Sequence, residues 1–268
     1  MESEKMGRNR TGIQMSPIDS KEMQNMIPDV VESDGGASLA AARSPYIATA
    51  DALGSVPLPG TLKGVASSGM QMLKGQSPTL LIDKLGERLA FERTGVRLYE
   101  QLIQKCQVLL DDTISMRLED LRNIRNEEHD HMMLVADCMQ AIGADPTAQT
   151  PCADVVGTES AGLLHVIADP RTTISHSLHA ILTAELSDRA GWETLIALAD
   201  AQGMDEMALR FEQVLETERE HLGMVETWFA ESLGLSYGDV DLPPEMATDA
   251  SATPAGTIQP GAATPRGT

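Results

Sequence analysis

The sequence predicts an all-α protein whose central part is a four-helix bundle, made of two antiparallel hairpins joined by one long crossover. Between residues 78 and 236, apolar side chains recur every three to four residues, which is the period of an amphipathic helix. Only 3% of the 268 residues are aromatic, which disfavours a large β-sandwich or barrel. The connections inside each helix pair are short, whereas residues 143–169 form a connection long enough to run the length of a bundle.

Composition divides the chain into three parts. Residues 1–77 are rich in Ser, Gly, Pro and Met, and we expect a largely disordered extension with one short amphipathic helix at residues 62–73. Residues 78–236 form the helical domain. Residues 237–268 contain almost no large apolar side chain, so burial cannot offset the entropy of ordering this tail, and it should be disordered.

The charge of the chain excludes several classes of partner. Forty acidic and twenty basic residues give a formal net charge of -20, which would repel phosphate backbones and anionic lipid surfaces. Nucleic acid and membrane are therefore not expected as partners, and cations are. The three cysteines form no Cys-x-x-Cys pair, and neither an apolar signal-peptide core nor a membrane-spanning run is present. We expect a cytoplasmic protein.

The first hairpin is predicted from two apolar stripes. The first helix carries Leu81, Leu85, Leu89, Val96, Tyr99, Ile103, Cys106 and Leu110. The second helix carries Leu118, Leu121, Ile124, Met132, Val135, Met139 and Ile142. This helix should end at Gly143, with Pro146 beyond it.

The second hairpin follows the long connection, in which a short helix is expected near residues 159–168. Its first helix should start after Asp169-Pro170 and end before Gly203. That helix carries Ile174, Leu178, Ile181, Leu182, Trp192, Leu195, Ile196 and Ala199. The last helix, with Asp205 as its expected cap and Gly234 at its end, carries Leu209, Val214, Leu215, Leu222, Val225, Trp228 and Phe229.

Six polar residues interrupt these stripes at positions that should face the core. Each helix contributes one carboxylate, and the second and fourth helices each add an imidazole three residues later. The set consists of Glu92, Glu128, His131, Glu185, Glu218 and His221. Four uncompensated carboxylates in an apolar core would be strongly destabilising, so something cationic should lie among them. Two divalent metal ions would balance the four charges, and the i, i+3 spacing lets Glu and His reach the same ion.

The metal-site prediction depends on the repetition of this pattern, because one Glu-x-x-His pair arises easily by chance in a chain with 21 glutamates and six histidines. Two such pairs occur, both in register with the buried stripe, and each follows a helix with an isolated core Glu. Tyr99 follows Glu92 by seven residues, as Trp192 follows Glu185. Each of these aromatic residues is either a redox-active or near-metal side chain or a filler of the core.

Residues 80–235 resemble the ferritin-like superfamily, which includes ferritins, bacterioferritins and rubrerythrins, and they are also similar to bacterial stress-induced ferritin-like proteins. One Glu from each of two helices plus Glu-x-x-His from each of the other two is the ligand set of di-iron carboxylate bundles. The resemblance implies two iron ions per chain, with Glu128 and Glu218 bridging and the other four residues terminal. It also implies reaction with dioxygen or hydrogen peroxide, as a ferroxidase or peroxidase in iron handling or oxidative-stress defence.

Departures from the family leave alternatives open. The chain lacks the Cys-x-x-Cys pairs of a rubredoxin-like domain, and His129 stands where bacterioferritins have a haem-binding methionine. The long connection between the hairpins puts a closed storage cage in doubt, and a homo-oligomer stays open. A dimanganese enzyme that disproportionates peroxide is one alternative, although manganese catalases usually lack the complete Glu-x-x-His in the fourth helix. A non-enzymatic, metal-stabilised bundle that binds partners is the other.

Overall fold

The computed structural model of the chain describes residues 17–26, 36–57 and 78–236, and these residues contain helices and no strands. The prediction of an all-α protein is therefore confirmed. The helices, numbered in chain order, are α1 (Pro17–Met26), α2 (Ala37–Thr49), α3 (Pro78–Leu109), α4 (Leu118–Ala141), α5 (Pro151–Ala168), α6 (Ile174–Ala201) and α7 (Asp205–Ser232). Within the described ranges, each of these helices is too short or too polar to cross a membrane.

The chain divides into two compact units, residues 1–53 and residues 54–268. The first unit contains α1 and α2, two helices that the sequence analysis did not predict, and α2 has no buried residue. The short helix expected at residues 62–73 and the tail at residues 237–268 lie outside the described residues.

In the second unit, α3 and α4 run antiparallel, as do α6 and α7. One apolar cluster joins Tyr99 and Leu102, near the end of α3, to Leu121, near the start of α4. A second cluster joins Leu85, near the start of α3, to Met139, near the end of α4. The first cluster also joins the start of α6 to the end of α7, and the second joins the end of α6 to the start of α7. In addition, α3 packs against α6, and α4 packs against α7.

The connection between the two hairpins contains α5, which is longer than the short helix predicted near residues 159–168. It begins at Pro151 because Thr150 caps it: the Thr150 hydroxyl accepts a hydrogen bond from the Ala153 amide at 3.3 Å. The Asp83 carboxylate on α3 accepts a second bond from the Cys152 amide at 2.9 Å. These contacts fix the start of α5 against α3, and α5 packs along α3 and also touches α6.

The predicted helix ends are mostly confirmed. Gly143 and Gly234 have positive φ angles of 84° and 73°, as expected for glycines that terminate helices. The expected cap of the last helix is wrong, because Asp205 is the first helical residue and the capping position belongs to Met204, which makes no side-chain cap bond. The helix expected after Asp169-Pro170 starts at Ile174, where the Thr173 hydroxyl accepts a bond from the His176 amide.

The two apolar clusters lie on either side of a belt of polar side chains. On α3, Glu92 of the belt lies between Leu89 of one cluster and Leu98 of the other, and on α7, Glu218 and His221 lie between Leu215 and Val225. The same change of cluster occurs along α4 and α6. Every residue that interrupts the predicted stripes lies in this belt, so the fold brings the polar residues of four helices to one level.

The contact between α3 and α5 generates a test of the fold. A Cβ at Gly86 would come within 2.5 Å of the Thr150 hydroxyl oxygen and 2.7 Å of its methyl carbon. Although alanine is the better helix former, Gly86→Ala should therefore lower the free energy of unfolding by about 1–3 kcal/mol in chemical denaturation.

Gly162 in α5 provides the matched control, because a Cβ there meets no atom within 4 Å. Gly162→Ala should raise the free energy of unfolding by up to about 1 kcal/mol. Equal effects of the two substitutions would contradict the packing of α5 on α3.

Candidate metal centre

The structure brings the six predicted ligand residues together in one buried cluster. Each of them is at most 7% exposed, and the set comprises Glu92, Glu128, His131, Glu185, Glu218 and His221. Glu128 and His131 share one face of α4, and Glu218 and His221 share one face of α7, because residues three apart on a helix lie one above the other. The i, i+3 spacing read from the sequence therefore corresponds to a local arrangement in the core.

The ligand atoms form three overlapping groups, each with all its ligand atoms within 4.8 Å of one another, and two of them contain histidine. The Glu185 position comprises Glu128, Glu185, Glu218 and His221. The Glu92 position comprises Glu92, His131 and Glu218. Glu218 belongs to both positions, so a single carboxylate is shared between them. A third group of ligand atoms is made by Glu92, Glu128 and Asp188.

Both histidines direct Nδ1 into the cluster. The Nδ1 atom of His131 lies 2.6 Å from Glu218 Oε1, and the Nδ1 atom of His221 lies 3.3 Å from Glu218 Oε2. The Nε2 atom of His221 faces outward and lies 2.9 Å from the half-exposed carboxylate of Glu127. A carboxylate on the far nitrogen fixes the orientation of an imidazole and leaves the other nitrogen for a metal.

Glu218 and His221 titrate as an ion pair. Burial favours the neutral form of Glu218, but the imidazoles of His131 and His221 outweigh it and lower the pKa of this carboxyl to about 2. Burial likewise lowers the pKa of His221, whereas the Glu128 and Glu218 carboxylates raise it to about 12. In the metal-free protein, Glu218 thus carries a full negative charge at neutral pH.

The pKa values of the other buried glutamates are raised rather than lowered. Burial, followed by the charge of neighbouring carboxylates, raises the pKa of Glu92 and Glu185 well above the ordinary value. Burial and the nearby Glu218 also raise the pKa of Glu128, although His221 lowers it. Without a metal, this cluster holds protons because it has too few cations for its carboxylates.

Several buried oxygen atoms in the cluster have no hydrogen-bond partner. They include the Oε2 atoms of Glu128 and Glu185, whereas Oε1 of Glu128 lies 3.5 Å from Nδ1 of His221. Buried polar atoms normally find partners, since an unsatisfied one costs about 1–3 kcal/mol. The cluster brings together carboxylate oxygens and the Nδ1 atoms of two histidines. These are ligands that divalent metal ions such as iron and manganese prefer. The cluster can therefore hold a metal ion.

Tyr99 and Trp192 both border the cluster and are fully buried. The hydroxyl of Tyr99 donates a hydrogen bond to Oε1 of Glu185. The indole ring of Trp192 packs edge-on against the His131 imidazole, with 6.0 Å between the ring centres, and contacts Phe211 at 5.4 Å. Tyr99 thus orients a candidate ligand, and Trp192 fixes the ring of another.

Three charged residues in or next to the cluster lie outside the six predicted ligands. Arg88 and Asp188 are both buried and form an ion pair, with 2.8 Å between Nη1 and Oδ1. Asp188 follows Glu185 by three residues, and this spacing allows either a residue that orients a ligand or an exposed carboxylate paired with Arg189; the structure buries Asp188 and pairs it with Arg88 instead. Arg88 precedes Glu92 by four residues, which places it on the same face of α3, but its partner on α6 leaves no trace in the sequence. No pattern in the sequence indicated that Glu127, which precedes Glu128, would contact the cluster.

Glycine permits two close approaches in the belt. Gly95 on α3 lies against the carboxylate of Glu128, and Gly191 on α6 lies against the guanidinium of Arg88; a Cβ at either residue would overlap that group. Any larger residue at these positions would push a charged side chain away from its place. The two glycines are therefore part of how the fold positions the cluster.

Comparisons of the chain with protein-family models, with curated proteins and with solved structures gave no match.

The pKa shifts predict how the metal-free protein responds to pH. Glu128 and Glu185 have raised pKa values, so between the ordinary value and the raised one the folded protein binds protons that the unfolded chain has released. Stability then falls as the pH rises. His221 acts in the same direction, because its raised pKa favours folding below the ordinary histidine value and this contribution is lost toward pH 12. In the presence of a chelator, the midpoint of urea unfolding should fall continuously above about pH 5.

Glu185→Gln should flatten this decline, because it removes one titrating carboxyl while keeping an oxygen that accepts the Tyr99 hydrogen bond. Glu206→Gln, on the exposed surface of α7, is the matched control and should leave the pH profile unchanged. Stability that rises between pH 5 and pH 8 in the metal-free protein would contradict the electrostatics of the cluster.

Proposed function

We propose that this chain is a ferritin-like di-iron protein that reacts with dioxygen or hydrogen peroxide. The observation that carries the proposal is the meeting of four carboxylates and two Nδ1 atoms in two groups that share Glu218. In this proposal α3, α4, α6 and α7 form the four-helix bundle, and α5 packs outside it. Family membership rests on the resemblance of the helix pattern and the ligand set.

The ligand arrangement supports two metal ions rather than one. Each position has one terminal carboxylate and one histidine of its own, namely Glu92 with His131 and Glu185 with His221. Glu218 belongs to both positions, and Glu128, whose Oε2 atom lacks a partner, lies in groups that contain each of the terminal carboxylates. Glu128 and Glu218 are therefore assigned as the bridging carboxylates, as the family resemblance implies.

The chemistry follows from the ligands. Two ferrous ions held side by side would supply two electrons to dioxygen or hydrogen peroxide, and hard anionic carboxylates favour the ferric product. The Tyr99 hydroxyl holds Oε1 of Glu185 and leaves Oε2 free to bind. Glu127 holds Nε2 of His221, which keeps Nδ1 directed at the cluster. Apolar clusters above and below the belt keep bulk water away from these groups.

The same ligands would also accept manganese, so the choice of iron rests on the family resemblance and on the complete Glu-x-x-His of α7. Ferroxidase or peroxidase activity in iron handling or oxidative-stress defence belongs to the same proposal, as does a cytoplasmic location. Manganese chemistry and a purely structural metal site are the alternative results of the experiment below.

The test is anaerobic titration with ferrous iron, followed by exposure to oxygen or peroxide. Wild-type protein should bind two ferrous ions per chain and then consume the oxidant as the iron is oxidised. Glu218→Ala removes the shared carboxylate, so it should weaken both binding steps, by about 10-fold at the least, since even partners that only orient ligands are worth that much.

Glu216→Ala is the matched control on the same helix, because Glu216 is mostly exposed and pairs with Arg219. It should bind and oxidise iron as the wild type does. Failure of the wild type to bind ferrous iron, or equal losses in the two variants, would reject the di-iron site. Iron binding without consumption of either oxidant would favour a structural metal site, and manganese in protein purified without added metal would favour the dimanganese alternative.

A further inference from the structure

Arg88 is a fully ionised side chain inside the belt, and it joins a candidate ligand to a residue of another helix. Its Nε atom lies 3.0 Å from Oε1 of Glu92, and its Nη1 atom lies 2.8 Å from Oδ1 of Asp188. Nη1 also donates a hydrogen bond to the backbone oxygen of Asp188 at 3.0 Å. All three side chains are at most 4% exposed. A cation is therefore fixed directly behind one terminal carboxylate of the cluster.

The surroundings of the guanidinium leave it little freedom to move. It stacks over the ring of Phe91 at 4.4 Å and lies 5.7 Å from the centre of the Trp192 ring. Gly191 lies directly against it, so the backbone of α6 closes the remaining side. Because arginine does not deprotonate in proteins, this charge persists whatever the state of the cluster.

The equivalent carboxylate of the other hairpin has a different partner. Glu185 accepts a hydrogen bond from the phenol of Tyr99, which is uncharged. The Glu185 position also gathers four candidate ligands, and His221 is held from behind by Glu127. The Glu92 position contains three candidate ligands, and the Glu92 carboxylate forms an ion pair with the guanidinium of Arg88. The halves of the site are alike in sequence but unequal in charge.

We propose that the two metal positions bind with unequal affinity, the Glu185 position more tightly, and that Arg88 and Asp188 are positioning residues that set the affinity of the Glu92 position. This inference rests on the proposed dinuclear site and deepens it. Arg88 orients Glu92 but repels a metal ion beside it. Asp188 offsets that repulsion by neutralising Arg88, so the pair orients the ligand without adding net charge.

The first experiment measures the inequality with Co²⁺, a divalent ion that does not react with oxygen in this setting and reports its ligands by visible absorption. Calorimetric titration of the wild type should resolve a strong and a weak step. His221→Ala should remove the strong step and retain a weak one, and His131→Ala should do the reverse. Two equal steps in the wild type would overturn the inference while leaving the dinuclear site intact, whereas no Co²⁺ binding would reject the dinuclear site itself.

The second experiment separates charge from packing at the Glu92 position. Asp188→Asn keeps the shape of the side chain but leaves the charge of Arg88 uncompensated. The weak step should become weaker by about 10- to 100-fold, and the strong step should be unchanged. The double variant Arg88→Met/Asp188→Asn removes both charges and should recover most of the lost affinity, which loss of packing alone could not produce.

Tyr99→Phe is the control for the Glu185 position, because it removes the hydrogen-bond partner of Glu185 and should weaken the strong step only. Thermal melting of each variant without metal checks that the helices remain folded. A double variant that binds the weak-step ion no better than Asp188→Asn would overturn the role of charge. Equal weakening of both steps by Asp188→Asn would overturn the assignment of Arg88 and Asp188 to the Glu92 position.

Discussion

The structure depends on how the core accommodates more carboxylates than cations. Four glutamates and Asp188 lie within one belt, and burying an ionised carboxylate costs several kcal/mol unless it is paired. The metal-free core meets this constraint in three ways. It pairs Glu218 with two imidazoles, it pairs Asp188 and Glu92 with Arg88, and it holds protons on carboxyls whose pKa burial has raised. Two divalent ions would replace the protons with fixed positive charge, which is why the belt is suited to metal.

The apolar part of the fold positions the belt. Antiparallel pairing of α3 with α4 and of α6 with α7 brings the middle of each helix to the same level, and one apolar cluster lies on each side of that level. The glycines at 95 and 191 allow side chains from neighbouring helices to approach the backbone. The helix α5, anchored to α3 through Thr150 and Asp83, covers α3 from outside. Helix packing therefore determines the ligand geometry.

Features that repeat along a single helix could be predicted from the sequence. Apolar stripes predicted the four long helices, and polar residues inside the stripes predicted all six members of the cluster, because the face of a helix follows from its 3.6-residue period. Partners on different helices could not be predicted in this way. The pairing of Arg88 with Asp188 depends on the rotation of α3 against α6, and the length of α5 depends on a cap at Thr150 that the apolar period does not report. Nor could spacing tell which carboxylate remains ionised, since that depends on the histidines around Glu218.

The surroundings of the belt also bear on the size of what can react there. Both apolar clusters contact candidate ligands, because Tyr99 of one cluster bonds to Glu185 and Trp192 of the other packs against His131. A large organic substrate would have to displace these buried side chains, and refilling a packed core in that way is costly. Dioxygen and hydrogen peroxide are small enough to need no such displacement. At the His221 side the belt meets the half-exposed Glu127. If the cluster reacts as proposed, the same packing that makes isolated carboxylates so costly favours dioxygen or peroxide over an organic substrate.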